Sequence, residues 1–239
     1  MDPIRINKYL AEQGLTTRRA ADKLIEAGKV LVNGQRAVLG QKVVPGDKIE
    51  IEAREAKKLK AKSYLYFAYH KPAGETTRER HQGRSLRILS RTDLDDLFPL
   101  GRLDKESRGL MILTNDGRLT DRLLNPDRAH EKEYLVTVDK PLKESVLNRF
   151  ARGVLLEGET SKTRPAKVDV EDDYNFRIIL TEGKKHQIRR MCATWNYAVT
   201  DLIRVRIENV ALGDLKAGKT RTIAGQVLTE LLSSLGLAN

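Results

Sequence analysis

Cysteine and aromatic residues are scarce in this chain. Cys192 is the single cysteine and Trp195 the single tryptophan, and Phe, Trp and Tyr together make up 5% of 239 residues. A lone cysteine excludes an internal disulfide and a cysteine-based structural zinc site. The four histidines, His70, His81, His130 and His186, are too scattered to replace it. No apolar run approaches the ~20 residues that cross a bilayer. The opening MDPIRINKYL lacks an apolar stretch of signal type. The expectation is a cytoplasmic protein with no membrane partner. Also missing are a G-x-x-x-x-G-K-[ST] phosphate loop, G-x-G-x-x-G, H-E-x-x-H and G-x-S-x-G. Any chemistry is therefore expected to run on side chains alone, with no cofactor and no metal. Acidic residues are outnumbered, 33 Asp and Glu against 44 Lys and Arg, a net charge of +11. Such an excess suits a polyanion, nucleic acid first, although solubility alone is a competing explanation. Residues 1–60 hold 13 basic and 8 acidic side chains, nearly half of the excess in a quarter of the chain. With 40% hydrophobic residues at regular spacing, general disorder is excluded.

Residues 1–52 read as a compact module of two helices and a small sheet. Ile6, Tyr9 and Leu10 mark the apolar face of a short helix that stops near Gly14. Thr16 or Thr17 caps a second helix, Arg18 to Ala27, ended by Gly28. Val30–Val32 is a strand, Asn33-Gly34 a hairpin turn, Pro45-Gly46-Asp47 another turn, and Ile49 and Ile51 alternate in a closing strand. Arg18, Arg19 and Lys23 avoid the apolar face of the second helix and project together, flanked by Lys8 and Lys29. Such a cluster suits a sugar-phosphate backbone, because each cation displaces condensed counterions. A plain solvated helix face explains it too.

The string Arg5-Ile6-Asn7-Lys8-Tyr9-Leu10, followed by Gly14, Arg18-Arg19-Ala20, Leu24-Ile25, Gly28, Val30, Val32-Asn33-Gly34 and Gly46-Asp47, resembles the S4 RNA-binding domain. The resemblance implies a module that binds structured RNA, with Arg5, Lys8, Arg18, Arg19 and Lys23 as contact candidates. Residues 53–63, AREAKKLKAKS, are charged and aperiodic and read as a linker.

Residues 64–239 are rich in strands with a few helices, so the chain as a whole is expected to be α+β. Strands are expected at Tyr64–Tyr69, Gly109–Thr114, Tyr134–Val138 and Arg204–Val210, with a hairpin through Val168, Val170, Phe176, Ile178 and Leu180. Helices are expected at Leu119–Leu124, at Leu142–Phe150, along Ile188, Met191, Cys192 and Trp195, and along Leu228–Leu235.

With few histidines, carboxylates are the natural catalytic groups. In Gly101-Arg102-Leu103-Asp104-Lys105-Glu106-Ser107-Arg108-Gly109 a charged loop precedes an apolar strand. Asp104 stands there among Arg102, Lys105 and Arg108, whose charges favour the ionised form. On the residues alone, a surface turn or a salt bridge is the commoner role for such a carboxylate.

The string G-R-L-D-x-x-S-x-G-L-x-x-L-T-N-D-G resembles the active-site motif of one group of pseudouridine synthases. That group comprises type A, of small-subunit ribosomal RNA, and types B, E and F, of large-subunit ribosomal RNA. Two more strings match in order. Lys132-Glu133-Tyr134-Leu135-Val136 resembles the group's K-x-Y-x-V strand, and Gly183 to Met191 resembles its G-x-x-x-Q-[IV]-[RK]-R-M segment. Around His130–Pro141 the likeness is greatest to type F. His70-Lys71-Pro72-Ala73-Gly74 departs from the usual N-K-P-x-G, and the stretch Glu75–Arg87 that follows is unusually charged.

The resemblance implies a catalytic domain over 64–239 with a mixed, mainly antiparallel sheet and flanking helices. It makes Asp104 the catalytic residue. Arg102 is the side chain that takes the place of a displaced base, Tyr134 lies against the target base, and Ile188 packs under that tyrosine. Arg189 pairs with Asp104, and Leu103 and Lys132 complete the substrate site. Generic phosphate contact is the competing reading of Arg189-Arg190 and fits Arg190 better. The implied reaction converts uridine to pseudouridine in structured RNA. Large-subunit ribosomal RNA is the first expectation and tRNA the second, and the enzyme is expected to act as a monomer without a cofactor. Attack at C1′, attack at C6 and elimination all stay open as roles for Asp104. The competing classes are a noncatalytic S4-type RNA-binding protein and an S4-linked methyltransferase, the latter requiring a glycine-rich cofactor loop that residues 64–239 lack.

Overall fold

The computed structural model describes residues 3–55, 64–77 and 97–237. Most of the charged linker and most of the Glu75–Arg87 stretch, with His81, lie outside them. Backbone contacts divide the chain into two units, residues 1–65 with 114–121, and residues 66–113 with 122–239.

In the first unit, β1 (Ile4–Arg5) leads into α1 (Ile6–Glu12), and Gly14 follows at φ +69°. Thr17 caps α2 (Arg18–Glu26), its hydroxyl accepting from the Ala20 amide at 3.2 Å. β2 (Val30–Val32), β3 (Gln35–Arg36) and β5 (Ile49–Ile51) form an antiparallel sheet, while β4 (Lys42–Val43) pairs with β1. Asn33 and Gly34 both take positive φ, as a tight turn between right-twisted strands demands. Ile6, Leu10, Ala21, Ile25, Val30 and Val43 form the buried core. Each large aliphatic side chain there contributes ~1.5–3 kcal/mol by leaving water.

The second unit is built on one mixed sheet. Its elements are β6 (Tyr66–Lys71), β7 (Phe98–Pro99), β8 (Arg108–Thr114), β9 (Lys132–Val138), β10 (Lys167–Val170), β11 (Asn175–Leu180), β12 (Val199–Ile207), β13 (Val210–Ala211) and β14 (Thr220–Thr222). The order is β10-β11-β9-β12-β8-β6-β14, with β13 on β12 and β7 on β8. β12 and β8 run parallel, whereas β10, β11, β9 and β12 are successively antiparallel. The described α-helices are α3 (Arg118–Leu124), assigned in part to each unit, and α4 (Glu144–Ala151), α5 (Gln187–Ala193) and α6 (Gly225–Ser234), with a 3-10 turn at Pro126–Arg128. The strand expected at 204–210 starts five residues earlier and breaks at Glu208, whose φ is +48°.

Alternation along β9 explains the layering. Val136 and Val138 point into a core shared with Phe150 of α4, Phe176 and Ile178 of β11, and Met191 and Cys192 of α5. On the opposite face Glu133 bridges Arg206 at 2.7 Å and Arg177 at 3.1 Å, while Arg206 also reaches Glu131 at 3.0 Å. Burial pushes the Glu133 carboxyl upward, but these two guanidinium groups outweigh it and hold the group below its ordinary value. Toward the start of β9, the face carrying Val136 and Val138 also carries Tyr134 and Lys132, and there it lines an open cleft.

Candidate active site

The cleft lies within the second unit and measures about 350 Å³, at the small end of ligand pockets. Arg102, Leu103, Asp104, Lys132, Tyr134 and Ile188 all line it, although they come from three segments far apart in the chain. Arg189 and Arg190 do not line it.

Asp104 sits on the turn between β7 and β8. Its carbonyl accepts from the Ser107 amide at 3.1 Å. The turn is pinned from several sides. The Arg102 carbonyl accepts from Arg204 Nη1 at 3.3 Å, the Leu103 carbonyl from the Thr77 hydroxyl at 3.3 Å, and the Lys105 carbonyl from the Gly74 amide at 2.7 Å. Leu103 is buried with Tyr69, Met111 and Leu113, so the residue before Asp104 is an apolar anchor. The Asp104 carboxylate itself remains one-third exposed. Arg102 is exposed and no described residue pairs with its guanidinium.

Tyr134 packs against both apolar clusters of the unit, the one under α4 and α5 and the one holding Leu103. Ile188 is buried in the first of these. Lys132 donates to the His130 carbonyl at 3.0 Å. Burial, and then the charge of Arg204, holds its ammonium below the ordinary lysine value.

The expected ion pair between Asp104 and Arg189 is not made. Arg189 donates to the Val199 carbonyl at 2.9 Å and to the Ser107 hydroxyl at 3.3 Å, so it braces the end of the turn rather than the carboxylate. The side chain beside Asp104 is instead His186, its Nε2 3.4 Å from Oδ1. The physical reason is register. Arg189 lies within α5 and points at β12, whereas His186 precedes the helix in a left-handed conformation at φ +52° that turns its ring to the cleft. Arg190 is occupied as well, donating to Glu159 at 3.1 Å and to the Glu157 carbonyl at 2.6 Å. Of the first-unit candidates, Arg5, Arg18, Arg19 and Lys23 are exposed, while Lys8 pairs with Glu12 at 3.4 Å and Lys29 with Glu52.

Besides His186, two residues here are not singled out for the site by sequence. Lys71 is wholly buried, its ammonium donating to the Pro72 carbonyl at 2.9 Å, Glu75 carbonyl at 2.8 Å and Lys105 carbonyl at 3.4 Å. Burial pushes it down to about 8. Arg204 is 3% exposed and lines the cleft. A signal for it exists in Leu202-Ile203-Arg204, since Arg204 has the inward parity of Leu202.

Comparison with known proteins identifies the family. Residues 65–194 match the RNA pseudouridylate synthase family, and residues 4–49 match the S4 domain. The chain belongs to the RNA pseudouridylate synthase family, in a form with an S4 domain ahead of the catalytic part. It is 39% identical over 230 residues to the dual-specificity RNA pseudouridine synthase RluF of Escherichia coli strain K12, covering 95% of this chain and 78% of that protein. It is 34% identical over 228 residues to the ribosomal small subunit pseudouridine synthase A of Pasteurella multocida, covering 93% and 97%. A crystal structure of a pseudouridylate synthase superposes with a TM-score of 0.71 at 30% identity, over 97% of this chain and 99% of that one. The noncatalytic alternative is not favoured, and the chain is an isomerase acting on RNA.

Proposed function

We propose that Asp104 is the reacting carboxylate of this pseudouridine synthase and that the target uridine lies in large-subunit ribosomal RNA, with tRNA the second candidate. The observation that carries the reading is the convergence of Asp104, Tyr134 and Ile188 on one cleft too small for a duplex. A uridine inside a helix is out of reach of such a cleft and must be flipped into it, at a cost of a few kcal/mol. Arg102, exposed and without a partner among the described residues, is placed to stack where the base was. Tyr134 holds the π-face of the uracil, and Ile188 backs the apolar wall behind it. In the reaction the bond from N1 to C1′ breaks, the base turns, C5 bonds to C1′ and loses its proton to solvent, and N1 takes one up, so that the product is an isomer of uridine. Asp104 acts at the ribose or the base. Lys132 fits a role in shaping the substrate site, and Leu103 one in fixing the height of Asp104.

The first unit supplies affinity. Arg18, Arg19 and Lys23 lie exposed along α2, and Arg5 is exposed at the start of α1, a spacing suited to phosphates of folded RNA. Arg190, whose guanidinium is engaged by Glu159, contributes to the site by holding the loop at 157–159 against α5. The protein acts as a monomer in this reading, and sedimentation of the free enzyme tests it. Mapping pseudouridines in total RNA from cells with and without the gene identifies the target. A site missing from 23S RNA alone, from tRNA, or from both decides among the substrates, and an unchanged map refutes the assignment.

A further inference from the structure

Arg204 is a buried cation with an unusual set of partners. It sits at the middle of β12, in register with Tyr134 on β9 and with Gly109 on parallel β8. Directly paired residues share a face, so Tyr134 and Arg204 stand side by side at the cleft. Nε donates to the Leu110 carbonyl at 2.7 Å and Nη1 to the Arg102 carbonyl at 3.3 Å, while Nη2 is buried without a partner. No carboxylate among the described residues forms an ion pair with it. Burying an unpaired charge costs several kcal/mol, and Lys71 and Lys132, both depressed in part by Arg204, add like charge nearby. An apolar side chain in this strand would be more favourable for folding alone. The position is better explained by what Arg204 holds.

We propose that Arg204 is the positioning residue of the active site, its guanidinium fastening the Arg102–Asp104 turn to the strand row that carries Tyr134. This rests on the reading of Asp104 as the reacting carboxylate. One arm of the guanidinium grips β8 at Leu110, and the other grips the turn two residues before Asp104. The carboxylate and the tyrosine are thereby referred to one rigid row, although the motifs containing them are 30 residues apart. Arg189 and Lys71 brace the same turn further on, at Ser107 and Lys105. Arg204 alone of these three is paired in register with Tyr134.

The test uses the full chain, with total RNA from cells lacking the gene, tritiated at C5 of uridine. Arg204→Met and Arg204→Lys are compared with the parent and with Asp104→Asn. Folding is checked through Trp195 fluorescence. The single-turnover rate at saturating protein should fall about 100-fold in Arg204→Met, the loss typical of a 1 Å misplacement. It should fall at least 10-fold in Arg204→Lys, which keeps the charge but not the two-armed grip. RNA affinity should stay within 2-fold with an unchanged salt slope, because so buried a side chain reaches no phosphate. A rate within 3-fold of the parent in folded Arg204→Met overturns the proposal, and so does the same result in Arg204→Lys should the methionine variant fail to fold. A loss confined to affinity, with the salt slope reduced by about one, also overturns it by making Arg204 a phosphate contact. Asp104→Asn separates the two layers. If it turns over, Asp104 is not the reacting group and Arg204 has nothing to position. If it is inactive while the Arg204 variants keep their rate, only the Arg204 inference falls.

Discussion

Gly109 closes the G-R-L-D-x-x-S-x-G string, and the fold explains why no larger residue serves there. Its φ is +112°, and a Cβ at this position would lie 2.4 Å from the Arg204 carbonyl oxygen and 2.6 Å from the Arg204 backbone nitrogen. Both obstacles are backbone, so no rotamer change relieves them. Relief requires β8 and β12 to part by about 1 Å, which breaks roughly two ladder hydrogen bonds at ~0.5–1.5 kcal/mol each. The strained φ of an alanine adds ~1–3 kcal/mol. Gly109→Ala is therefore expected to destabilise the second unit by about 2–6 kcal/mol. Gly218 is the internal control, with φ +78° and nothing within 4 Å of an added Cβ. Gly218→Ala bears the conformational strain alone, ~1–3 kcal/mol. Trp195, the single tryptophan, packs edge-on to Phe150 at 5.6 Å between ring centres and so reports unfolding of this unit. Urea titration of the three proteins, followed by tryptophan emission, measures the difference at constant m-value. Should the two alanine variants agree within 1 kcal/mol, the argument from strand approach is wrong.

Other expectations follow from the same geometry. Lys71 has a folded-state value near 8, below its unfolded value of ~10.4. Both states are protonated below pH 8, whereas between about 8 and 10.4 only the folded state has released its proton, so this group's contribution to stability rises with pH. The stability of the parent minus that of Lys71→Met should grow by up to about 2 kcal/mol from pH 7 to 9.5, and a flat difference would count against the burial of this ammonium. Cys192 is 1% exposed and burial pushes its thiol up to about 12. Iodoacetamide at pH 8 should leave it unmodified until urea unfolds the unit, and rapid labelling of the native protein would contradict this. Replacing Arg18, Arg19 and Lys23 together by alanine should lower RNA affinity at low salt and reduce the salt slope by about 2–3 units, with the rate at saturation retained. An unchanged slope removes α2 from the RNA-binding surface. Arg190→Ala should leave that slope as it is and lower stability only slightly through the loss of Glu159 pairing, so a slope reduced by one would restore its phosphate role.

What the sequence determined by itself is mostly local. Thr17 caps α2 because a side-chain oxygen three residues before an amide needs no distant partner. The Asn33-Gly34 turn needs only residues that tolerate positive φ. The even-numbered apolar residues of β9 declare its inner face without reference to its neighbours. The G-R-L-D, K-x-Y-x-V and Q-I-R-R-M strings named Asp104, Tyr134 and Ile188, and the cleft brings these together. Direction and pairing of individual side chains were decided only by tertiary structure. Arg189 was expected on Asp104, yet the pitch of α5 sends it to Val199 and Ser107, and His186 takes its place. Arg204 looked like one charge in a strand with several. It becomes central only when β12 is set between β8 and β9, which puts its guanidinium beside Tyr134 and under the carbonyl of Arg102. Periodicity specifies which face a residue occupies, but its partner on that face depends on the order of strands, and that order is set by contacts between residues distant along the chain.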